Sequence, residues 1–311
     1  MSIRRRVLAA AATLGMVVAG TVAASPANAD LPVPYNSAAA LAASLQNPNA
    51  NPPGSNDFDC RPTAAHPRPV VLVSGTFANR VINWNTASPL LKNEGYCVFA
   101  LNYGATKVTD LSFGQIRSVA AVRESAVELR DFVDQVLSAT GADKVDIVGH
   151  SQGGMMPRWY LKFLGGAAKV DTLVGLAPSN HGTTLWGLGL LASWFPQIGQ
   201  PLVGAFCPAC ADQVVDSPAM RELNGGGDTQ PGVKYTVIST IYDQVVQPYR
   251  SQFLSGPNTT NITLQNGCLI NFADHLSPAF DRRALRFMLN ALDPAHAKRA
   301  PCLLSLPVLG G

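Results

Sequence analysis

Five short apolar runs divide the chain from residue 69 onward. They are PVVLVSG, YCVFALNY, KVDIVGH, VDTLVGLAP and VKYTVIST, which begin at Pro69, Tyr96, Lys144, Val170 and Val233. Apolar runs of this length that end in turn residues are typical of buried strands. Because strands that are apolar throughout are covered on both faces, the pattern predicts a mostly parallel central sheet with helices on both sides.

One amphipathic helix is predicted between the second and third runs. Its apolar residues recur at helical spacing and are Ala126, Leu129, Phe132, Val133, Val136 and Leu137. Gly141 is a typical residue to end it. The 311 residues with 47% hydrophobic content suffice for a sizeable core. We therefore expect the α/β class with one large domain over residues 69–311, and two glycosylation sequons, at Asn258 and Asn261, in a polar loop of it.

The first 68 residues follow a different pattern. Three arginines at 4–6 precede an apolar run from Val7 to Ala24, and residues 27–29 read Ala-Asn-Ala, so residues 1–29 are predicted to be an export signal. A membrane anchor is the alternative, but the run is barely long enough to span a bilayer. Residues 30–68 are rich in Pro, Asn, Ala and Ser, and predict an arm over the core with a short helix near residues 38–45.

The balanced net charge of the predicted mature chain argues against highly charged binding partners. The predicted signal contains three arginines and no acidic residue, so 20 of the 23 basic residues remain against 20 acidic ones. A neutral chain without a basic run does not favour nucleic acid or an anionic surface. We expect a secreted monomer without a cofactor or metal, whose partner is a neutral or apolar substrate.

The chain has six cysteines, at positions 60, 97, 207, 210, 268 and 302. An even number in an exported chain favours three disulfides, for which the sequence permits fifteen pairings. Cys207 and Cys210 form a local pair, and the others fall into Cys60 with Cys97 and Cys268 with Cys302. A metal site at Cys207 and Cys210 would need a second pair of ligands, and the sequence offers none nearby. A redox motif would need a strand that leads into a helix, which the surrounding Pro/Ala/Gly-rich stretch does not predict. A structural disulfide is therefore favoured.

The third apolar run ends in Gly149-His150-Ser151-Gln152-Gly153, and a helical pattern follows at once. A serine between strand and helix, with a glycine on either side two residues away, is typical of a sharp turn that exposes a nucleophilic hydroxyl. The backbone N–H of Gln152 would then point toward an oxyanion beside Ser151.

A nucleophilic serine needs a histidine base and an acid, in the chain order serine, acid, histidine. Of the five histidines, His275 is in a loop well after the last predicted core strand, within GCLINFADHLSP. Asp243 lies just past the end of the fifth predicted strand, within VISTIYDQVVQP. The sequence therefore predicts Ser151, Asp243 and His275 as a catalytic triad.

A second oxyanion donor is expected in the loop after the first strand, within SGTFANRVINW. Gly75 permits a tight turn there, and Thr76 offers both an N–H and a hydroxyl. Phe77 takes this role instead if the loop is shifted by one residue.

Several segments together carry a family resemblance. They are RPVVLVSGTFANRVINW, GYCVFALNY, IVGHSQGGMMPRWYL, LVGLAPSNHGTTLWG, STIYDQVVQP and GCLINFADHLS. They resemble the secreted triacylglycerol lipases and esterases of actinobacteria in the α/β-hydrolase superfamily and, more distantly, the fungal lipase B type. The resemblance runs from about Cys60 to Cys302. It implies Ser151 as nucleophile, Asp243 as acid, His275 as base and Thr76 with Gln152 as oxyanion hole.

The resemblance also places residues 178–183 beside the pocket and an apolar cap at about residues 183–215. Leu185 to Phe206 is apolar nearly throughout, and both core packing and contact with acyl chains or a lipid surface account for such a run. The expected activity is hydrolysis of carboxylic esters with medium to long acyl chains. Acyl transfer by the same triad and a non-catalytic binding module on a hydrolase fold are the alternatives.

Overall fold

The computed structural model describes residues 29–193 and 207–311. Residues 1–28, which hold nearly the whole predicted export signal, and residues 194–206, inside the predicted cap, lie outside the described residues. Leu31–Gly311 form one compact unit.

Six parallel strands form the central sheet of the described chain. They are β1 (Val70–Val73), β2 (Val98–Leu101), β3 (Val145–His150), β4 (Val170–Leu176), β5 (Lys234–Ser239) and β6 (Thr259–Thr263). Their spatial order is β2-β1-β3-β4-β5-β6, and each neighbouring pair is parallel. The five apolar runs form β1 to β5, which confirms the predicted α/β class and parallel sheet. The carboxyl ends of all six strands therefore meet at one edge, where the candidate residues lie.

The edge strand β6 was missed by the sequence pattern. Its five residues, TTNIT, are mostly polar and only partly buried, because one side of an edge strand faces solvent. The register pairs Ile238 of β5 with Ile262. The prediction of a polar loop around the two sequons is therefore wrong for Asn261, which lies inside this strand.

The described α-helices are α1 (Ser37–Gln46), α2 (Arg80–Trp84), α3 (Ala87–Asn93), α4 (Lys107–Leu111), α5 (Val122–Thr140), α6 (Gln152–Phe163), α7 (Leu185–Ser193), α8 (Pro208–Asp212), α9 (Pro218–Asn224) and α10 (Arg282–Leu292). Short 3-10 turns lie at Gly166–Ala168, Tyr249–Gln252, Ser277–Ala279 and Pro294–His296. None of the helices in the described part of the chain is long and apolar enough to cross a bilayer.

Helices cover both faces of the sheet because alternate side chains of a strand point to opposite sides. Val71 and Val73 of β1 pack in one core with α5 and α6, whereas Val70 and Leu72 pack in another with α3 and α10. The helix α5 is the amphipathic helix predicted from the sequence. It ends at Gly141, whose φ of 71° favours glycine.

The N-terminal arm is tied to the outer edge of β2. The backbone N–H of Asn56 donates to the carbonyl oxygen of Val98 at 2.9 Å. The Asn56 side chain accepts from the N–H of Ala100 at 2.7 Å and donates to its carbonyl oxygen at 3.0 Å. A disulfide joins Cys60 to Cys97. The arm thus satisfies backbone groups that an edge strand would leave open.

Candidate active site

Ser151 occupies the sharp turn between β3 and α6. Its backbone has φ 55° and ψ −123°, a strained conformation for a residue with a Cβ. A Cβ on Gly149 would lie 1.8 Å from the carbonyl oxygen of Gly153, and one on Gly153 would lie 2.0 Å from that of Val73. Both glycines are therefore required by close backbone approach, and the turn they permit places Ser151 on a cavity wall.

Asp243 and His275 come from two separate loops and meet beside this serine. His275 Nε2 lies 2.9 Å from Ser151 Oγ, and His275 Nδ1 lies 2.8 Å from Asp243 Oδ2. Both the His275 and Asp243 side chains are fully buried. Since a carboxylate only accepts hydrogen bonds, Nδ1 carries a proton, and in the neutral ring the lone pair of Nε2 faces the serine hydroxyl.

Four donors hold the Asp243 carboxylate. Its Oδ1 accepts from the backbone N–H groups of Val245 at 2.9 Å and Val246 at 2.8 Å. Its Oδ2 accepts from Gln252 Nε2 at 2.8 Å as well as from His275. A buried carboxylate that accepts this many hydrogen bonds is fixed in position. Sequence reasoning did not identify Gln252, and no local pattern marks it.

Thr76 and Gln152 face each other across the same site. Neither backbone N–H has a hydrogen-bond partner among the described residues. The Thr76 hydroxyl donates to Gln152 Oε1 at 2.6 Å. Two free amides close to a nucleophilic oxygen are suited to hold a developing negative charge.

His150, the residue before the serine, contacts the backbone of the candidate base His275. Its Nε2 lies 2.9 Å from the backbone carbonyl oxygen of His275, and its Nδ1 lies 3.2 Å from Asn83 Oδ1. Because a carbonyl oxygen only accepts, His150 Nε2 donates. Burial, with a contribution from the nearby His275 ring, lowers the pKa of His150 to about 4.

A cavity of about 520 Å³ opens over Ser151 and His275. Its wall is mostly apolar and is built from α1, α2, the segment after α4, the loop that follows His275 and the C-terminal segment. The apolar lining residues are Ala38, Leu41, Leu45, Ile82, Ile116, Leu276, Ala279, Phe280, Val308 and Leu309. Part of the predicted cap, residues 194–206, lies outside the described residues. Among the described residues, the arm helix α1 contributes Leu41 and Leu45 to the wall. The sequence of α1, SAAALAASLQ, is uncharged, and only Ala40 and Ser44 of it are buried.

Residues 178–183, expected beside the pocket, are not among the described residues that line the cavity, although the N–H of Ser179 donates to the carbonyl oxygen of Ser151 at 3.4 Å. His181 Nδ1 lies 2.7 Å from the carbonyl oxygen of Ser251, and its Nε2 lies 3.1 Å from Asp228 Oδ1. Asn180 Nδ2 donates to the carbonyl oxygen of Gln252 at 2.6 Å. The segment therefore holds the turn that carries Gln252, the partner of the candidate acid.

The six cysteines form three disulfides. Besides the bond of the arm, Cys207 pairs with Cys210 at the start of α8, and Cys268 pairs with Cys302. The last bond closes the segment that contains His275. Within residues 29–193 and 207–311, no group of His, Cys, Asp and Glu side chains is arranged to hold a metal ion.

Comparisons with known proteins give the family. A family model described as lipase (class 2) matches residues 67–280. A triacylglycerol lipase of Pseudarthrobacter phenanthrenivorans is 36% identical over 101 residues, which are 31% of this chain and 28% of that protein. Lipase B of Pseudozyma antarctica is 32% identical over 118 residues, which are 37% of this chain and 31% of that protein. The chain thus matches less than a third of the length of these relatives.

Among solved structures, lipase B of Aspergillus fumigatus superposes with a TM-score of 0.56 at 20% identity. The alignment covers 81% of this chain and 57% of that one. At this identity the likeness concerns the fold alone, which is the α/β-hydrolase fold.

Proposed function

Since this chain belongs to the class 2 lipase family, we propose that it is a secreted serine hydrolase of carboxylic esters with medium to long acyl chains. The observation that carries the proposal is the unbroken hydrogen-bonded line from Asp243 through His275 to Ser151 on the floor of an apolar cavity. The segments aligned with the named lipases cover less than a third of those proteins. The proposed activity is therefore argued from the chemistry of this site and not from their names.

In the proposed reaction, His275 Nε2 takes the proton of Ser151 as its oxygen attacks the ester carbonyl. The Asp243 carboxylate holds the ring and stabilises the imidazolium that forms. His275 then gives the proton to the leaving alcohol, and an acyl-serine remains. Water, deprotonated by the same nitrogen, cleaves that ester and releases the acid.

The backbone amides of Thr76 and Gln152 serve as the oxyanion hole in this proposal. The Thr76 hydroxyl is a further donor that can leave Gln152 Oε1 and turn toward the oxyanion. Donors that are already in place when charge develops lower the barrier without reorganisation of solvent.

Replacement of Ser151 by alanine tests the proposal. Activity on p-nitrophenyl butyrate should fall below about 1% of the original, because loss of a triad member costs several powers of ten in rate. The matched control is Ser138→Ala, since Ser138 is exposed on α5 away from the site. A fluorophosphonate should label the unmodified protein and the control, and leave Ser151→Ala unlabelled. Substantial turnover by the Ser151 variant would refute the triad.

The apolar wall supports a substrate with a long acyl chain, and the names of the relatives favour acylglycerols. Each buried methylene adds about 0.8 kcal/mol, so kcat/KM should rise up to about fourfold for each added carbon while the cavity has room. A series of p-nitrophenyl esters from acetate to palmitate, with tributyrin and triolein emulsions, measures this. A profile that peaks at acetate would leave a short-chain esterase.

Export of the protein is supported by its three disulfides, which persist in oxidising compartments. We expect cleavage after Ala29, so that the mature protein begins at Asp30. Mass spectrometry of the protein recovered from a bacterial culture medium tests this. Retention in the cells with an intact N-terminus would contradict it.

A further inference from the structure

Gln213 lies directly after α8 and behind the proposed oxyanion hole. Only 1% of the residue is exposed, and it does not line the cavity. The Gln213 side chain is therefore almost completely shielded from solvent and lies outside the wall that a substrate would contact. Its contacts nevertheless join the two residues proposed as oxyanion donors.

The side-chain amide of Gln213 makes four contacts at hydrogen-bond distance. Its Nε2 lies 2.8 Å from Thr76 Oγ1, 3.0 Å from Gln152 Oε1 and 3.1 Å from the carbonyl oxygen of Ala209. Its Oε1 accepts from the hydroxyl of Ser179 at 2.9 Å. Since the Ala209 carbonyl only accepts, the nitrogen and not the oxygen must face that side, which fixes the orientation of the amide.

This orientation decides what the Thr76 hydroxyl can do. The hydroxyl has a single hydrogen, and its oxygen already accepts from Gln213. That hydrogen therefore remains free to donate, to Gln152 Oε1 when no substrate is bound and to an oxyanion during reaction. When it turns away, Gln152 Oε1 still has the Gln213 amide as a donor, so no buried acceptor is left without a partner.

The backbone around Gln213 is held as firmly as its side chain. The N–H of Thr183 donates to the Gln213 carbonyl oxygen at 2.8 Å, and the N–H of Gln213 donates to the Ala209 carbonyl oxygen at 3.1 Å. A Cβ on Gly182 would lie 2.9 Å from the Gln213 carbonyl oxygen, so the two loops are in close contact. The amide is thus fixed from the loop after β4 and from α8, independently of the β1 loop and the β3 turn that it supports.

We propose that Gln213 is a positioning residue that holds the Thr76 hydroxyl and the Gln152 side chain in the arrangement needed to bind the oxyanion. This inference rests on the proposed function, because it assigns Gln213 to the same reaction. It predicts a defect in the chemical step and not in the binding of the ester.

Gln213→Leu and Gln213→Glu test the proposal with p-nitrophenyl butyrate. Both remove the donors to Thr76, and the glutamate keeps the shape of the side chain. In each variant kcat should fall about 10- to 100-fold with KM changed less than about threefold, since loss of a full oxyanion donor costs about 100- to 1,000-fold. Gln135→Leu is the control, because Gln135 is exposed on α5.

A double-mutant comparison separates positioning from a general structural effect. In a Thr76→Val background, which lacks the hydroxyl, Gln213→Leu should lower kcat less than about threefold, because residues that act as a unit are not additive. Equal losses in both backgrounds, or unchanged kcat in the single variants, would overturn the proposal. If the Gln213 variants do not fold, Ser179→Ala takes their place. It removes one bond to the amide and should lower kcat about threefold to tenfold at constant KM, and an unchanged kcat would count against the proposal.

Failure of the proposed function has a different signature. The unmodified protein would then lack esterase activity, or Ser151→Ala would retain it. If the unmodified protein is active and its activity depends on Ser151, the kcat values of the Gln213 variants test the positioning role of Gln213 separately.

Discussion

The buried ring of His150 should make the protein less stable in acid. Burial lowers its pKa from 6.5 to about 4 in the folded state. Between these values the unfolded chain binds a proton on this ring and the folded protein does not, so the free energy of unfolding falls as the pH falls from 6.5 toward 4. Titration of this one group should lower it by about 2 kcal/mol between pH 7 and pH 4.5.

His150→Gln tests this by removing the titrating group while it keeps a donor for the His275 carbonyl oxygen. Urea unfolding, followed by tryptophan fluorescence, is measured at both pH values for the variant and the original protein. Other groups also titrate, so the informative quantity is the difference between the two losses. The variant should lose about 2 kcal/mol less than the original protein on acidification, whatever its stability at pH 7.

Gln135→Leu is the control, because Gln135 is exposed on α5 and carries no titrating group. Its loss on acidification should match that of the original protein within about 0.5 kcal/mol. If His150→Gln loses as much stability on acidification as the original protein, burial does not lower the pKa of His150 in the folded state, and the prediction is wrong.

His181 donates to Asp228 and to the Ser251 carbonyl oxygen, and its hydrogen bond to Asp228 raises its pKa. The stabilising effect of protonated His181 should thus be complete below about pH 6.5 and be lost as the pH rises through the raised pKa. The Tm should fall over this range in the original protein, and it should fall less in His181→Gln. Leu41→Trp should fill the cavity beside α1 and lower the ratio of palmitate to butyrate turnover about tenfold. Leu111→Trp, which lies outside the cavity, should leave this ratio unchanged. Paired serine substitutions at Cys268 and Cys302, which are 34 positions apart, should cost about 3 to 4 kcal/mol of stability and lower activity below the melting temperature, and unchanged activity there would argue that the bond does not hold the His275 segment.

The features that the sequence predicts correctly are those with a local cause. The strands β1 to β5 are buried on both faces, so their composition alone reveals them. The glycines around Ser151 are required by backbone contacts that any tight turn between strand and helix produces. The candidate acid and base stay predictions; the structure brings their side chains together because parallel strands bring the loops at their carboxyl ends to one edge.

The features that the sequence does not predict depend on contacts between distant segments. The strand β6 needs only backbone pairing with β5, and its polar side chains give no apolar signal. Part of the cavity wall comes from α1, which precedes Ser151 by more than 100 positions, because the arm returns over the site. Neither Gln252 nor Gln213 has a neighbourhood in the sequence that distinguishes it from an ordinary polar residue.

The position of His275 shows why such distant contacts accumulate at the base. Its loop belongs to no helix or strand, and a base displaced by about 1 Å can cost a factor of about 100 in rate. Asp243 holds one ring nitrogen, His150 holds the backbone carbonyl oxygen, and the disulfide between Cys268 and Cys302 closes the segment. The bond to His150 spans 125 positions and originates beside the proposed nucleophile, Ser151. Because the residue next to Ser151 is bonded to the backbone of His275, a shift of the β3 turn carries the base with it, which preserves the distance between Ser151 Oγ and His275 Nε2.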